Sequence, residues 1–340
     1  MICVLAGGVG AARFVRGLIE VVDPADVTVV VNVGDDCVLH GLRICPDLDT
    51  LVYTVTGAVN AETGWGLSGE TWRAMESLRR HAAVNDIDPA DPAAGDAAGW
   101  FSLGDLDLGT HLYRTSRLAA GASLTTVTAE IARSFGLDVT LLPVSEDPVR
   151  TRVTTVDGRD LAFQEYFVRE QHAVEVASVR VVGAEDARPA PGVLEAIRSA
   201  DAVVVAPSNP VVSIGPLLAV PGVRDAVVAA RARTVAVSPI VGGAALKGPA
   251  DRLLRELGHE ATAVGIARWY APLAAALVVD EVDAALADEV ATAGLRPVVT
   301  DTIMARPGVG AQLAAAALGA VGVDVLTDTA APAGPEHGGR

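Results

Sequence analysis

The sequence predicts an α/β protein: a Rossmann-like, doubly wound, mostly parallel sheet carrying an inserted smaller α+β or helical subdomain. Three observations predict it. Residues 1–33 read as strand, glycine turn, helix, strand, the opening of a βαβ unit. Short runs of valine and alanine return at intervals after residue 200, with helical spacing between several of them. Between the two zones, residues 51–190 change character and hold turns, polar helices and alternating segments. The expected division is therefore 1–50 plus 191–325 for the core, 51–190 for an inserted or cap subdomain, and 327–340 for a disordered Pro/Gly/Ala-rich tail.

Residues 1–5 are a short apolar run that enters Gly7-Gly8-Val9-Gly10 directly, which makes them a first strand rather than a signal peptide. Phe14, Val15, Leu18, Ile19 and Val22 recur at helical spacing in 11–22, and 27–31 is a continuous β-branched run suited to a strand buried on both faces. Residues 70–80 look helical, and 85–99 is a Pro/Ala/Gly/Asp stretch expected as a mobile surface loop. Ser123 is placed to cap a helix running to Phe135, with Gly136 ending it. Asp157-Gly158 marks a hairpin within 150–168. A helix is expected over 191–199 and strands over 139–143, 202–206, 234–237, 261–265, 276–279 and 297–300. The apolar stretch 308–323 is rich in Ala and Gly and reads as a buried helix.

Bulk properties narrow the function classes. The chain has 340 residues, 51% of them hydrophobic, enough for a sizeable core, yet no run reaches the roughly 18 uninterrupted apolar residues of a membrane helix. The net charge is −16, with Lys247 the sole lysine among many arginines. That balance excludes a nucleic-acid groove, which needs a basic stripe. Cys3, Cys37 and Cys45 have no metal-ligand spacing and read as reduced thiols of a cytoplasmic protein.

The chemistry concentrates at the ends of the expected strands. Gly8 and Gly10 follow a strand and open a helix, where backbone N–H groups and the helix dipole favour a phosphate; Arg13 lies one turn further on. The full G-x-G-x-x-G spacing is absent, as is a Walker lysine. Asp35 and Asp36 sit where the second strand ends, to bond a ribose, hold a metal or cap a turn. Asp47 and Asp49, if extended, face one space and form a half-shell for Mg²⁺; the alternative is a Pro-Asp turn with a solvated acid. Residues 103–111 set acids, Thr110 and His111 among leucines, with Arg114 three residues on. Ser208-Asn209 and Ser238 to Gly242 follow two successive strands; they suit helix caps, or contacts to one nucleotide lying across a switch point.

In order, GGVGAAR (7–13), NVGDD (32–36), ICPDLDT (44–50), LGDxDxxTH (103–111), APSNPVVSIGP (206–216) and SPIVGG (238–243) resemble the CofD family of 2-phospho-L-lactate transferases, and within it the actinobacterial FbiA branch of phosphoenolpyruvate transferases. The likeness runs from residue 1 to about 325. PDLDT and SNPVVSIGP are its specific parts. The resemblance implies a Rossmann-like fold with a smaller added domain, a homodimer, and Mg²⁺-dependent catalysis. It implies transfer of an enolpyruvyl-phosphate or 2-phospho-L-lactyl group from a GDP-activated donor to the terminal ribityl hydroxyl of the deazaflavin Fo. GMP leaves, and the product is dehydro-F420-0 or F420-0, a coenzyme F420 precursor. By the same likeness Asp49 contacts the Fo hydroxyl end, the metal or both, and Ser102 and His111 fall on the acceptor side. Asp47 and Asp49 are then the metal ligands, Asp49 or Asp36 the group that orients the hydroxyl, and Gly8, Gly10, Arg13, Ser208, Asn209, Ser238 and Gly242 the nucleotide and phosphate contacts. The core would hold nucleotide and metal, and the inserted part would complete the acceptor site. The rival is a non-enzymatic, UDP-sugar-binding regulator of the related gluconeogenesis-factor family, which has the glycine start but not PDLDT or SNPVVSIGP. An NAD-dependent oxidoreductase is weaker still, because the glycine spacing fails.

Overall fold

Runs that can bury both faces become the central strands of this protein, and the computed structural model describes them within residues 1–84 and 99–325. Most of the 85–99 stretch and the 327–340 tail lie outside the described residues. Along the chain, β1 (Ile2–Ala6) leads to α1 (Gly8–Leu18), β2 (Val27–Val31), the hairpin β3 (Cys37–Leu39) and β4 (Leu42–Ile44), and α2 (Pro46–Val55). Next come α3 (Arg73–Val84), α4 (Asp105–Ala119), α5 (Leu124–Ser134), β5 (Thr140–Pro143), β6 (Arg150–Thr155), β7 (Asp160–Ala162) and β8 (Val176–Val182). Then α6 (Val193–Ser199), β9 (Ala202–Val205), α7 (Gly215–Ala219), α8 (Val223–Ala229), β10 (Thr234–Val237), β11 (Ile240–Val241) and β12 (Ala244–Ala245) follow. The chain ends in α9 (Ala250–Glu256), α10 (Ala263–Tyr270), β13 (Ala276–Asp280), α11 (Ala287–Thr292), β14 (Arg296–Thr300) and α12 (Val309–Gly319).

Seven of the described strands form one sheet in the order β14-β13-β10-β9-β1-β2-β5, and every pairing in it is parallel. Val4 lies opposite Val29 on one side and Val204 on the other. Each of β1, β2, β9, β10 and β13 is buried along its whole length, as a sheet covered by helices on both faces requires. The order reverses between β1 and β9, so the crevice beyond the carboxyl ends of those two strands is where such sheets take ligands. Helices α1 and α12 cross almost backbone to backbone: a Cβ on Gly17 would lie 2.3 Å from the carbonyl carbon of Gly310.

Strand β5 falls inside the stretch expected as insertion, yet it pairs with β2 as the sheet's edge. The rest of that stretch splits in two. Before β5, α3 and the approach to α4 pack Met75 and Leu103 against Leu39 and Ile44 of the β3–β4 hairpin. After it, the antiparallel sheet β7-β6-β8 and the helical turn that follows β7 pack Val153, Phe163, Tyr166 and Val176 against Val212 and Leu253. The small sheet thus lies over the carboxyl end of the large one.

Two local expectations are overturned. Residues 261–265 are no strand: Thr262 accepts a hydrogen bond from the Gly265 amide at 3.1 Å and caps α10. The PDLDT segment is not extended but is the first turn of α2, with Pro46 at a position where its fixed φ suits a helix and its missing N–H is no loss. Asp47 and Asp49 then lie in the dipole-favoured first turn, and at helical spacing, two residues apart, they point in different directions.

Candidate active site

The two PDLDT acids lead to two separate clusters. Asp47 turns toward the β1–α1 junction, where its Oδ1 accepts the Gly8 amide at 2.8 Å and its Oδ2 accepts Asn32 Nδ2 at 2.9 Å. The same Asn32 nitrogen bonds the Asp35 carboxylate, and Asn32 Oδ1 accepts the Gly34 amide at 2.8 Å. Burial pushes Asp47 up to about 6 against the Asn32 and Gly8 bonds. Burial, then the charges of Asp47 and Asp36, raise Asp35 well above the usual carboxylate range. One glycine turn, one asparagine and two buried acids therefore converge at the head of α1. Gly8 has φ +73°, open to glycine at little cost.

Asp49 turns toward α4. Both of its oxygens are taken by Arg114, Oδ2 from Nη1 at 3.1 Å and Oδ1 from Nη2. His111 Nδ1 stands 3.8 Å from Asp49 Oδ2, and His111 Nε2 3.3 Å from Asp107 Oδ2. That Nε2 is enclosed without an aligned hydrogen bond. Tyr53 of α2 donates to Asp107 Oδ1 at 2.7 Å. Burial works to raise Asp107, but the close approach of His111, the Tyr53 bond and the nearby Arg114 charge outweigh it and hold the group low. Asp107, His111 and Arg114 share one face of α4 at spacings of three and four. Asp49, Asp107 and His111 each bring a ligand atom within 4.8 Å of the others. Asp47 is outside that group, so the expected Asp47/Asp49 half-shell does not form.

Asp36 lies between the clusters. It pairs with Arg43 at 3.4 Å and accepts from the Cys45 thiol at 3.1 Å. Burial pushes its carboxyl up to about 6, against the pull of Arg43.

The remaining expected contacts divide. A Cβ on Gly10 would sit 2.2 Å from the Pro207 carbonyl oxygen, so glycine there serves the packing of the β1 loop on the β9 loop. Ser208, on that second loop, is buried with a partnerless Oγ. Asn209 caps the following turn, accepting from Val211 and Val212 amides at 2.9 and 3.3 Å. Ser238 bonds within its own turn, to the Ile240 carbonyl at 2.8 Å, and the Gly242 amide donates to Asp283 at 3.0 Å. Ser102 accepts from Arg79 at 2.7 Å and takes no part in either acid cluster. Arg13 and Lys247 converge on the loop after α2: Lys247 Nζ lies 2.9 Å, and an Arg13 guanidinium nitrogen 3.9 Å, from where a Cβ on Gly64 would stand. Neither cation has an ion-pair partner among the described residues.

Sequence reasoning grouped Asp107 and Arg114 with His111 in one polar patch but gave the two no role, and it did not single out Tyr53 or Lys247 as site residues. The i, i+4, i+7 spacing of Asp107, His111 and Arg114 was the available signal once 105–119 is read as a helix. Nothing local marks Lys247, which reaches the Gly64 loop from beyond β12.

The family model for 2-phospho-L-lactate transferase CofD matches residues 2–317. A protein of Streptomyces griseus named phosphoenolpyruvate transferase is 48% identical over 299 residues, 87% of this chain and 90% of its own length. Proteins of the same name from Kitasatospora aureofaciens and Streptomyces coelicolor are each 44% identical, over 93% of this chain and 96% and 97% of theirs. Among solved structures, a Bacillus halodurans protein of the UPF0052 family superposes with a TM-score of 0.57 at 16% identity, covering 93% of this chain and 98% of that one, a likeness of fold alone. A model match over nearly the whole length and relatives this similar lead to one conclusion: the chain belongs to the 2-phospho-L-lactate transferase CofD family.

Proposed function

We propose that this chain transfers a phosphorylated three-carbon acid, phosphoenolpyruvyl or 2-phospho-L-lactyl, from a GDP-activated donor to the terminal ribityl hydroxyl of Fo, in coenzyme F420 biosynthesis. The observation that carries this reading is the near-full-length match to relatives named phosphoenolpyruvate transferase; that name favours the enolpyruvyl donor. The hydroxyl oxygen forms a bond to the distal phosphorus, the bond from that phosphorus to the bridging oxygen breaks, GMP departs and the hydroxyl proton is released. Such a transfer is governed by alignment and charge neutralisation more than by covalent help.

The residues suit those tasks. The Gly8 turn and Ser208 Oγ lie on the loops that follow β1 and β9, where the diphosphate would lie, and Arg13 and Lys247, gathered at Gly64, would supply countercharge to it. Asp49, oriented by Arg114 and His111, would hold the acceptor hydroxyl and draw on its proton. Asp36, engaged by Arg43 and Cys45, lies further from that role. Two carboxylates, Asp49 and Asp107, are hard oxygen ligands of the kind Mg²⁺ uses beside phosphate; His111 is a softer neighbour. When bound, the ion would neutralise charge on the diphosphate oxygens.

The test is mass spectrometry of the product from Fo, donor and Mg²⁺. Enolpyruvyl and lactyl products differ by two hydrogens, and absence of any phosphodiester of Fo would refute the reading. Calorimetry with GDP against UDP-N-acetylglucosamine separates it from the sugar-nucleotide regulator.

A further inference from the structure

A cavity of about 330 Å³ opens between the end of β2 and the small sheet, with Asp36, Val38, Arg150, Thr151, Phe163 and Gln164 in its wall. Its charges are unevenly spent. Arg152, also in the wall, is paired with Asp160 at 3.0 Å, and Asp36 is engaged by Arg43. Arg150 has no ion-pair partner among the described residues; its guanidinium donates to the Val149 carbonyl at 2.9 Å. Beside it, Thr151 is 2% exposed and its Oγ1 is enclosed without a hydrogen-bond partner. That hydroxyl lies over Gly34, 2.6 Å from where a Cβ would stand, so the glycine makes room for it. The Thr151 amide donates to the Gly34 carbonyl at 2.7 Å and holds the two walls together. A surplus guanidinium, an unsatisfied buried hydroxyl and the Phe163 and Val38 faces together describe a seat for a small organic acid.

The cavity's position says which acid. Asp35, at one side of it, joins through Asn32 to Asp47 and the Gly8 turn. Asp36, at another, joins through Cys45 to the residue that opens α2, on which Asp49 stands. On the proposed transfer, a group attached to the phosphorus moving between these two arms would pass beside this cavity. We propose that the cavity seats the three-carbon acid of the donor, its carboxylate on Arg150 and Thr151 and its carbon skeleton against Phe163. This rests on the proposed transfer and adds the residues that read the transferred group.

The experiment compares two ligands on the full chain: GDP, and the GDP ester of the three-carbon acid with a methylene-bridged diphosphate, which cannot be transferred. In the wild type the ester binds more tightly than GDP by about tenfold or more, the worth of one charge-assisted carboxylate contact. Arg150→Gln removes that advantage and leaves GDP affinity within about twofold; Arg150→Lys restores part of it. Thr151→Val, nearly the same shape, loses a smaller share. An ester no tighter than GDP in the wild type, or an advantage that survives in Arg150→Gln, overturns the assignment. GDP affinity and the circular dichroism spectrum report whether the variants fold. Ester binding and Fo turnover are independent readings, so a protein that seats the acid through Arg150 yet makes no Fo phosphodiester would refute the transfer and leave the acid site standing.

Discussion

Replacing Asp49 with Asn tests stability and chemistry at one atom pair. Asp49 is 5% and Arg114 1% exposed, and the two are joined by both carboxylate oxygens. Asn is nearly isosteric, but it carries no charge and turns an NH₂ toward a guanidinium that can only donate. Breaking a buried pair by removing one partner costs about 3–5 kcal/mol. Asn keeps one acceptor oxygen, so about 3 kcal/mol is expected, a fall of roughly 5 °C in melting temperature for a chain of this size. Turnover with Fo should fall by about 100-fold or more, the usual worth of a group that positions or takes a proton. Differential scanning calorimetry and product formation are measured on the same preparation. Adding Arg114→Met to the Asp49→Asn chain removes the unmatched buried charge; most of the lost stability should return while activity does not. An unchanged melting temperature in Asp49→Asn refutes the buried-pair argument, and full turnover refutes the catalytic one.

Asp36 has a folded-state pKa of about 6, raised by burial from 3.8. The folded protein therefore binds its proton more tightly than the unfolded chain does. Between about pH 4 and 6 the wild type should lose stability, relative to Asp36→Asn, as pH rises, by on the order of 2 kcal/mol. Urea titrations at pH 4.5 and 7 measure this, and a difference that is flat or of opposite slope would contradict it. Gly17→Ala, where a methyl would meet the Gly310 backbone, should cost about 1–3 kcal/mol by forcing α1 from α12, with kcat unchanged because the contact is remote from the acids; thermal melts and kinetics decide. Lys247→Gln and Arg13→Gln should each raise KM for the donor by about tenfold, with Fo affinity unaffected by fluorescence titration; unaltered donor kinetics in both would remove the diphosphate from that corner.

The parallel core was legible because burial on both faces leaves a plain signature: Val27–Val31 and Thr234–Val237 are unbroken apolar or β-branched runs. The cap of α5 was legible too, since Ser123 can bond the Thr126 amide through chain three residues away. Residues 261–265 misled because Ala-Thr-Ala-Val-Gly has a strand-like composition, and only the Thr262 hydroxyl bonding forward to Gly265 declares a helix. Pro46 followed by two acids is equally a helix-start signature, but the same residues satisfy a turn. The acids were therefore found and their directions were not. The site's cations were the least visible. Arg114 reaches Asp49 across 65 positions and Lys247 reaches Gly64 from a distant hairpin, contacts that only the folded chain creates.

The solitary ε-amine beside Gly64 also makes this protein addressable by simple chemistry. Lys247 offers one side-chain amine for acylation in the whole sequence. The Met1 amine, tied to Asp201 at 2.7 Å at the amino ends of the central strands β1 and β9, falls in a different peptide on mapping. A single dye placed there would stand beside Gly64 and Arg13, and a change in its acylation rate on adding guanine nucleotide would test, without any assay of turnover, whether the proposed donor lies at that corner.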